Sequence, residues 1–155
     1  MEFDYYIFID YSENLIGYCI VEKEKIPELL KKIIKFRHFK NLRHKRTYLI
    51  KIKKIIKKEE IKSWILKQKI SYVQDTLVIF NEILEFIKSN KESEVFISID
   101  NKQHASFVRL FKELFSQKNI IIISENKLRK NSSEYRLSLV IDNMLNIERL
   151  SKKSK

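Results

Sequence analysis

Tyr5-Tyr6-Ile7-Phe8-Ile9-Asp10-Tyr11-Ser12-Glu13-Asn14-Leu15-Ile16-Gly17-Tyr18-Cys19-Ile20-Val21-Glu22 contains two apolar runs joined by a polar turn. Aromatic and β-branched residues fill both runs, which is the composition of buried strands. Ser12-Glu13-Asn14 is short enough to fold one run back on the other as an antiparallel hairpin. The first run ends on a carboxylate, Asp10. Val95-Phe96-Ile97-Ser98-Ile99-Asp100 repeats the pattern, a branched apolar run ending on aspartate.

Outward from these strands, Pro27 sits where a first helical turn tolerates its missing N–H, and Ile26, Leu29, Leu30, Ile33 and Ile34 recur at helical spacing. Residues 48–56 fit a helical face through Tyr48, Leu49, Ile52, Ile55 and Ile56. Leu49-Ile50-Lys51-Ile52-Lys53 also alternates like a strand, and the local pattern leaves both readings open. Residues 62–68, with Trp64, Ile65 and Leu66, read as a third strand. An amphipathic helix is predicted over 72–89, another over 103–117 through Phe107, Leu110, Phe111 and Leu114, and a last one over 132–150 capped by Ser132 or Ser133. Asn119 to Ile123 reads as a strand. Strands alternating with helices imply parallel pairing, so the expected class is α/β: a mixed sheet of about five strands with helices on both faces. One domain is expected over 1–150, with a basic helical insert at 31–61 and a basic tail at 151–155.

The 155 residues carry a formal net charge of +12. Residues 31–69 hold 16 Lys or Arg against Glu59 and Glu60, a local balance of +14, so the rest of the chain sums to −2. The basic character therefore belongs to one segment, and an anionic partner is expected there: nucleic acid ahead of an acidic membrane surface. Arg37, Lys40, Arg43, Lys45, Arg46, Lys53 and Lys54 are the candidate phosphate contacts. Phe36, Phe39 and Tyr48 interleave with them, either to stack on bases or to anchor the segment on the core. His38 and His44 match no zinc spacing, and His104 follows Asp100 on a predicted helix surface.

The single cysteine, Cys19, sits in an apolar run and reads as core, which excludes an intramolecular disulfide and a cysteine zinc site. One glycine in the whole chain excludes glycine-rich phosphate loops and the dinucleotide fingerprint. No leader and no apolar run of spanning length is visible, so a cytoplasmic protein without a membrane span is expected.

Three aspartates stand out. Asp10 and Asp100 end predicted central strands, the edge where open α/β sheets bind ligands. Asp142 interrupts an apolar helix, Val140-Ile141-Asp142-Asn143-Met144, where a lone buried carboxylate is costly. Each also has an ordinary structural reading: turn residue, helix N-cap region, solvated helix face. Taken together they make a candidate Mg²⁺ or Mn²⁺ site, since hard cations prefer oxygen ligands. Two such ions can clamp the attacking and leaving oxygens of a phosphodiester. Glu13 and Asp75 are spare acids expected at the surface.

The order of elements and these aspartates resemble the RNase H-like superfamily. Phe8-Ile9-Asp10-Tyr11-Ser12, Val95 to Asp100, and Ser132-Ser133-Glu134 leading to Leu139-Val140-Ile141-Asp142 are similar to an uncharacterised branch. That branch has a Tyr/Phe-Ile-Asp-Glu-Ser first strand and a Leu-Gln-Leu-Ala-Asp last helix. The resemblance implies a hairpin-led mixed sheet and a catalytic, metal-holding set of Asp10, Asp100 and Asp142. Tyr11 stands where that pattern has an acid, Leu139 where it has a glutamine, and the usual glycine after the first strand is absent. The expected activity is metal-dependent hydrolysis of nucleic-acid phosphodiesters. The alternative is a non-catalytic nucleic-acid-binding protein on the same scaffold. A protein-interaction module whose lysines serve solubility is a third reading.

Overall fold

In the computed structural model, residues 2–112 and 119–153 are described. The opening hairpin forms as its residues require: β1 (Tyr5–Ser12) pairs antiparallel with β2 (Leu15–Glu22), with Asp10 opposite Gly17. Glu13 turns the corner at φ 54°. β2 pairs antiparallel with β3 (Lys67–Tyr72), and β1 pairs in parallel with β4 (Val95–Ile99), which pairs in parallel with β5 (Ile120–Ser124). The sheet order is β3-β2-β1-β4-β5. This five-stranded mixed sheet with a helical layer on each face is the α/β architecture expected from the sequence.

Side-chain alternation along β1 splits the core in two. Tyr6 and Phe8 face one layer with Cys19, Phe96, Leu137, Ile141 and Leu145; Ile7 and Ile9 face the other with Ile79, Phe80, Ile83 and Phe107. The first layer is built by α1 (Ile26–Lys32), α2 (Lys45–Lys58) and α5 (Ser133–Lys153), the second by α3 (Thr76–Ser89) and α4 (His104–Leu110). Pro27 lies in the first turn of α1, and the Ser132 hydroxyl accepts the Tyr135 N–H at 3.1 Å to cap α5. Among the described residues no helix is long and apolar enough to cross a membrane.

Several boundaries differ from the sequence reading. The ambiguous stretch 48–56 is helical, within α2, because Leu49 and Ile52 both turn inward. The expected strand at 62–68 is instead a 3₁₀ turn, Ile61–Trp64, and β3 starts at Lys67. Ile61 and Ile65 are buried under α2 there, while Lys25 and Lys32 cover the Trp64 ring at 5.2 and 5.4 Å. β3 is an edge strand with exposed Lys67 and Lys69, so it carries no apolar alternation to announce it. α3 accordingly starts later than predicted, at Thr76. α4 is described to Leu110, and Leu114 lies outside the described residues. α5 runs on to Lys153, so the first part of the expected basic tail is helical.

Gly17 fixes how closely α5 lies on the sheet. A Cβ there would stand 3.0 Å from Ile141 Cδ1 and 3.0 Å from Leu145 Cδ2, closer than carbon atoms pack. The helix residue after Ile141 is Asp142, and the strand partner of Gly17 is Asp10. One missing side chain thus lets the two aspartates approach.

Candidate metal centre and its basic rim

β1, β4 and β5 run in the same direction, and their register aligns their ends. Ile9 pairs with Ile99, and Ile99 with Ser124. The residue that follows each of these three is an acid: Asp10 within β1, Asp100 just past β4 and Glu125 just past β5. One carboxylate oxygen from each lies within 4.8 Å of the others. Asn101 locks the ends of β4 and β5 together, its side-chain oxygen accepting from Ser124 Oγ at 2.7 Å and from the Asn126 N–H at 2.8 Å. Asp100 accepts the Lys102 N–H at 2.9 Å, and Asp10 the Tyr11 N–H at 2.8 Å. Asp10 and Asp100 were read from the sequence as site residues. Glu125 was not, although it follows the predicted fifth strand by two positions.

Asp142 is buried beside this trio and shares its cavity of about 710 Å³. Its Oδ2 accepts the Phe39 N–H at 3.0 Å, so one of its two oxygens ties down the basic segment. Burial raises the Asp10 carboxyl well above the ordinary range, and the neighbouring Glu125, Asp142 and Asp100 raise it further against the Tyr11 N–H. Burial pushes Glu125 up to about 7, with repulsion from Asp142 and Asp100 adding and Lys40 opposing. Asp142 is raised by burial, with His38, the Phe39 N–H and Asp10 acting the other way.

The segment between α1 and α2 is strapped across α5. Tyr48 Oη accepts the Arg37 N–H at 2.6 Å and donates to the Arg37 carbonyl at 3.0 Å. Asn143 donates to that same carbonyl at 3.0 Å. His38 Nδ1 accepts the Lys40 N–H at 3.3 Å, while its Nε2 lies 3.9 Å from Glu125 Oε1. Phe36 and Phe39 are buried and the Tyr48 hydroxyl is engaged, so these aromatics anchor the segment and offer no free face for stacking. Lys45 Nζ and the Arg149 guanidinium lie 5.1 and 5.6 Å from the Phe39 ring.

All seven basic residues singled out in the sequence have exposed side chains. Only Lys40 and Lys45 among them line the carboxylate cavity; Arg37, Arg43, Arg46, Lys53 and Lys54 do not. Two further cations at the cavity, Lys130 and Arg149, come from the part of the chain whose charges nearly cancel. His104 opens α4 and lies outside the cavity lining. Glu13 pairs with Arg149 at 3.2 Å, and Asp75 accepts from Ser71 Oγ at 2.8 Å.

No family model matches this sequence, and no curated protein matches it. Among solved structures, a chain of the PCNA:RNase HII complex from Archaeoglobus fulgidus is similar at 15% identity, with 96% of this chain and 77% of that chain covered and a TM-score of 0.43.

The donor set fits a hard divalent cation. Three oxygens from three carboxylates converge, and their charges are mutually repulsive without a counter-ion. Oxygen ligands of one octahedral Mg²⁺ or Mn²⁺ stand about 3 Å apart when cis and about 4.2 Å when trans, so three oxygens within 4.8 Å of one another would close in around a bound ion.

Proposed function

We propose that this chain is a divalent-cation-dependent nuclease acting on nucleic-acid phosphodiesters. The observation that carries the reading is the register-aligned trio Asp10, Asp100 and Glu125 inside a cavity edged by cations. Those three residues hold the ion, Mg²⁺ or Mn²⁺. When bound, the ion supplies Lewis acidity toward a phosphoryl oxygen. Asp142 adds negative charge beside Asp10 and keeps the strap seated through the Phe39 N–H. Lys40 on the strap, Lys45 at the start of α2 and Lys130 offset the negative charge of an approaching phosphate. The remaining lysines of the basic segment lie outside the cavity and hold the flanking strand through non-specific phosphate contacts.

The test is cleavage of labelled DNA and RNA with Mg²⁺, Mn²⁺ or EDTA, in the native chain and in Asp10→Asn, Asp100→Asn and Glu125→Gln. Cleavage that requires the ion and is lost in all three variants is expected. Cleavage that persists in EDTA or in Asp10→Asn refutes the reading. Salt-sensitive binding by the native chain without any cleavage points instead to a non-catalytic nucleic-acid-binding protein.

A further inference from the structure

Beside the carboxylate cavity lies a second one, of about 280 Å³, lined by Glu13, Asn14, Leu15, Arg149 and Lys152. Glu13 and Arg149 line both, so the two cavities are contiguous. Asp142, Asn146 and Arg149 follow one another at four- and three-residue spacing, on one face of α5.

Arg149 is held in a fixed pose. Its Nε donates to Ser12 Oγ at 2.9 Å, and Nη2 donates to Asn146 Oδ1 at 3.0 Å. Its Nη1 meets Glu13 Oε1 at 3.2 Å, and only 12% of the side chain is exposed. A guanidinium carries five N–H donors. These contacts engage one on each nitrogen, which leaves one on Nη1 and one on Nη2 without a bond among the described residues. Two such donors match the paired oxygens of a phosphate. Lys152 adds a second cation at the same cavity, resting 4.3 Å from the Tyr72 ring with its side chain 40% exposed. The Glu13 carboxylate, 54% exposed, occupies the guanidinium in the absence of a ligand.

We propose that this second cavity is a phosphate subsite, filled by a backbone phosphate of the strand next to the linkage at the carboxylates. The proposal rests on the nuclease reading for its choice of strand. Arg149 and Lys152 hold the phosphate, and Glu13 is the internal competitor it displaces. The preordered guanidinium sets which linkage lies over Asp10, Asp100 and Glu125, so the subsite fixes register along the backbone without reading bases.

The experiment is fluorescence anisotropy of a short labelled oligonucleotide in the non-cleaving Asp10→Asn background, across a salt series. Lys152→Gln and Glu13→Gln change exposed positions, so both are expected to fold. Lys152→Gln is expected to weaken binding several-fold and to lower the log–log salt slope by about 0.7–0.9, one phosphate contact. Glu13→Gln is expected to tighten binding, which a purely structural pairing with Arg149 would not do. Arg149→Gln is expected to weaken binding by about tenfold or more, from the charge-assisted hydrogen bonds lost. Lys88→Gln, at an exposed residue outside the basic segment that lines neither cavity, serves as the charge-matched control. Unchanged affinity and slope in Lys152→Gln and Glu13→Gln overturn the subsite and leave the nuclease reading standing. An Asp10→Asn protein that binds no oligonucleotide overturns both. Inorganic phosphate is expected to compete beyond a chloride salt of equal ionic strength in the Asp10→Asn parent and less so in Arg149→Gln; equal competition in both overturns the subsite.

Discussion

Replacing Glu125 by Gln should make the metal-free protein more stable at neutral pH. Glu125 titrates in the fold at about 7 against an ordinary 4.5. A carboxyl whose folded pKa is raised binds its proton more tightly in the folded state. Its favourable contribution is complete below pH about 4.5 and is lost as pH rises through about 7. At about 1.4 kcal/mol per pH unit, the loss is about 3 kcal/mol, a large share of a small domain's stability. The side chain is only 20% exposed, so solvent screening relieves little of it. Asp10, raised for the same reasons, adds loss of the same sign. The assay is urea unfolding in EDTA at a series of pH values from 4.5 to 8. The native midpoint should fall across that range relative to Glu125→Gln, with the variant ahead at pH 8. Saturating Mn²⁺ should reverse the order. An ion at a thousandfold its Kd stabilises the folded form by about 4.1 kcal/mol, more than the loss at Glu125, and the variant has lost one of three ligands. Parallel pH profiles for the two proteins in EDTA, or equal stabilisation of both by Mn²⁺, would refute the reasoning.

Gly17→Ala should cost about 1–3 kcal/mol, because its Cβ meets Ile141 and Leu145 at 3.0 Å and α5 must lift; chemical denaturation reads the loss. Tyr48→Phe removes the hydroxyl that grips both the N–H and the carbonyl of Arg37, and should cost about 1–3 kcal/mol with faster amide exchange over 37–41. Glu82 runs opposite to Glu125 in its pH dependence. Burial raises it, but hydrogen bonds from Lys69 at 2.6 Å and Tyr18 at 3.0 Å outweigh burial and hold it below 4.5. Its contribution is present above pH 4.5 and lost as pH falls through the lowered value, so Glu82→Gln should flatten the acid side of the stability profile.

The strands that meet the core on both faces were legible because burial leaves its mark on composition. β1, β2, β4 and β5 are near-continuous runs of branched and aromatic residues. β3 was not legible. It is an edge strand whose Lys67 and Lys69 read as a continuation of the basic segment, while buried Ile61 and Ile65 beside it mimic a strand. Asp10 and Asp100 were found because each terminates an apolar run directly. Glu125 was hidden by Ser124, which ended the predicted strand one residue early, and only the pairing register shows that it stands level with the two aspartates. Asp142 was recognised as out of place in its helix, but its hydrogen bond to Phe39 is a contact between distant parts of the chain that no local pattern encodes. Arg149 and Lys130 were missed for a related reason. Charge density drew attention to 31–69, whereas a single guanidinium fixed by Ser12, Asn146 and Glu13 has no compositional signal.

Beyond its buried aromatics, the strap is seated through peptide groups: the Phe39 N–H on Asp142 and the Arg37 carbonyl on Asn143, both of α5, and both main-chain groups of Arg37 on Tyr48 of α2. Every amino acid except proline carries that N–H, and every one carries the carbonyl. The exposed positions 37 and 40 are therefore open to drift, and a lineage could redistribute their charges, or an engineer exchange them, while the strap keeps its place over the acids. Phe39→Pro is the change that drift must avoid, since it deletes the donor that Asp142 holds.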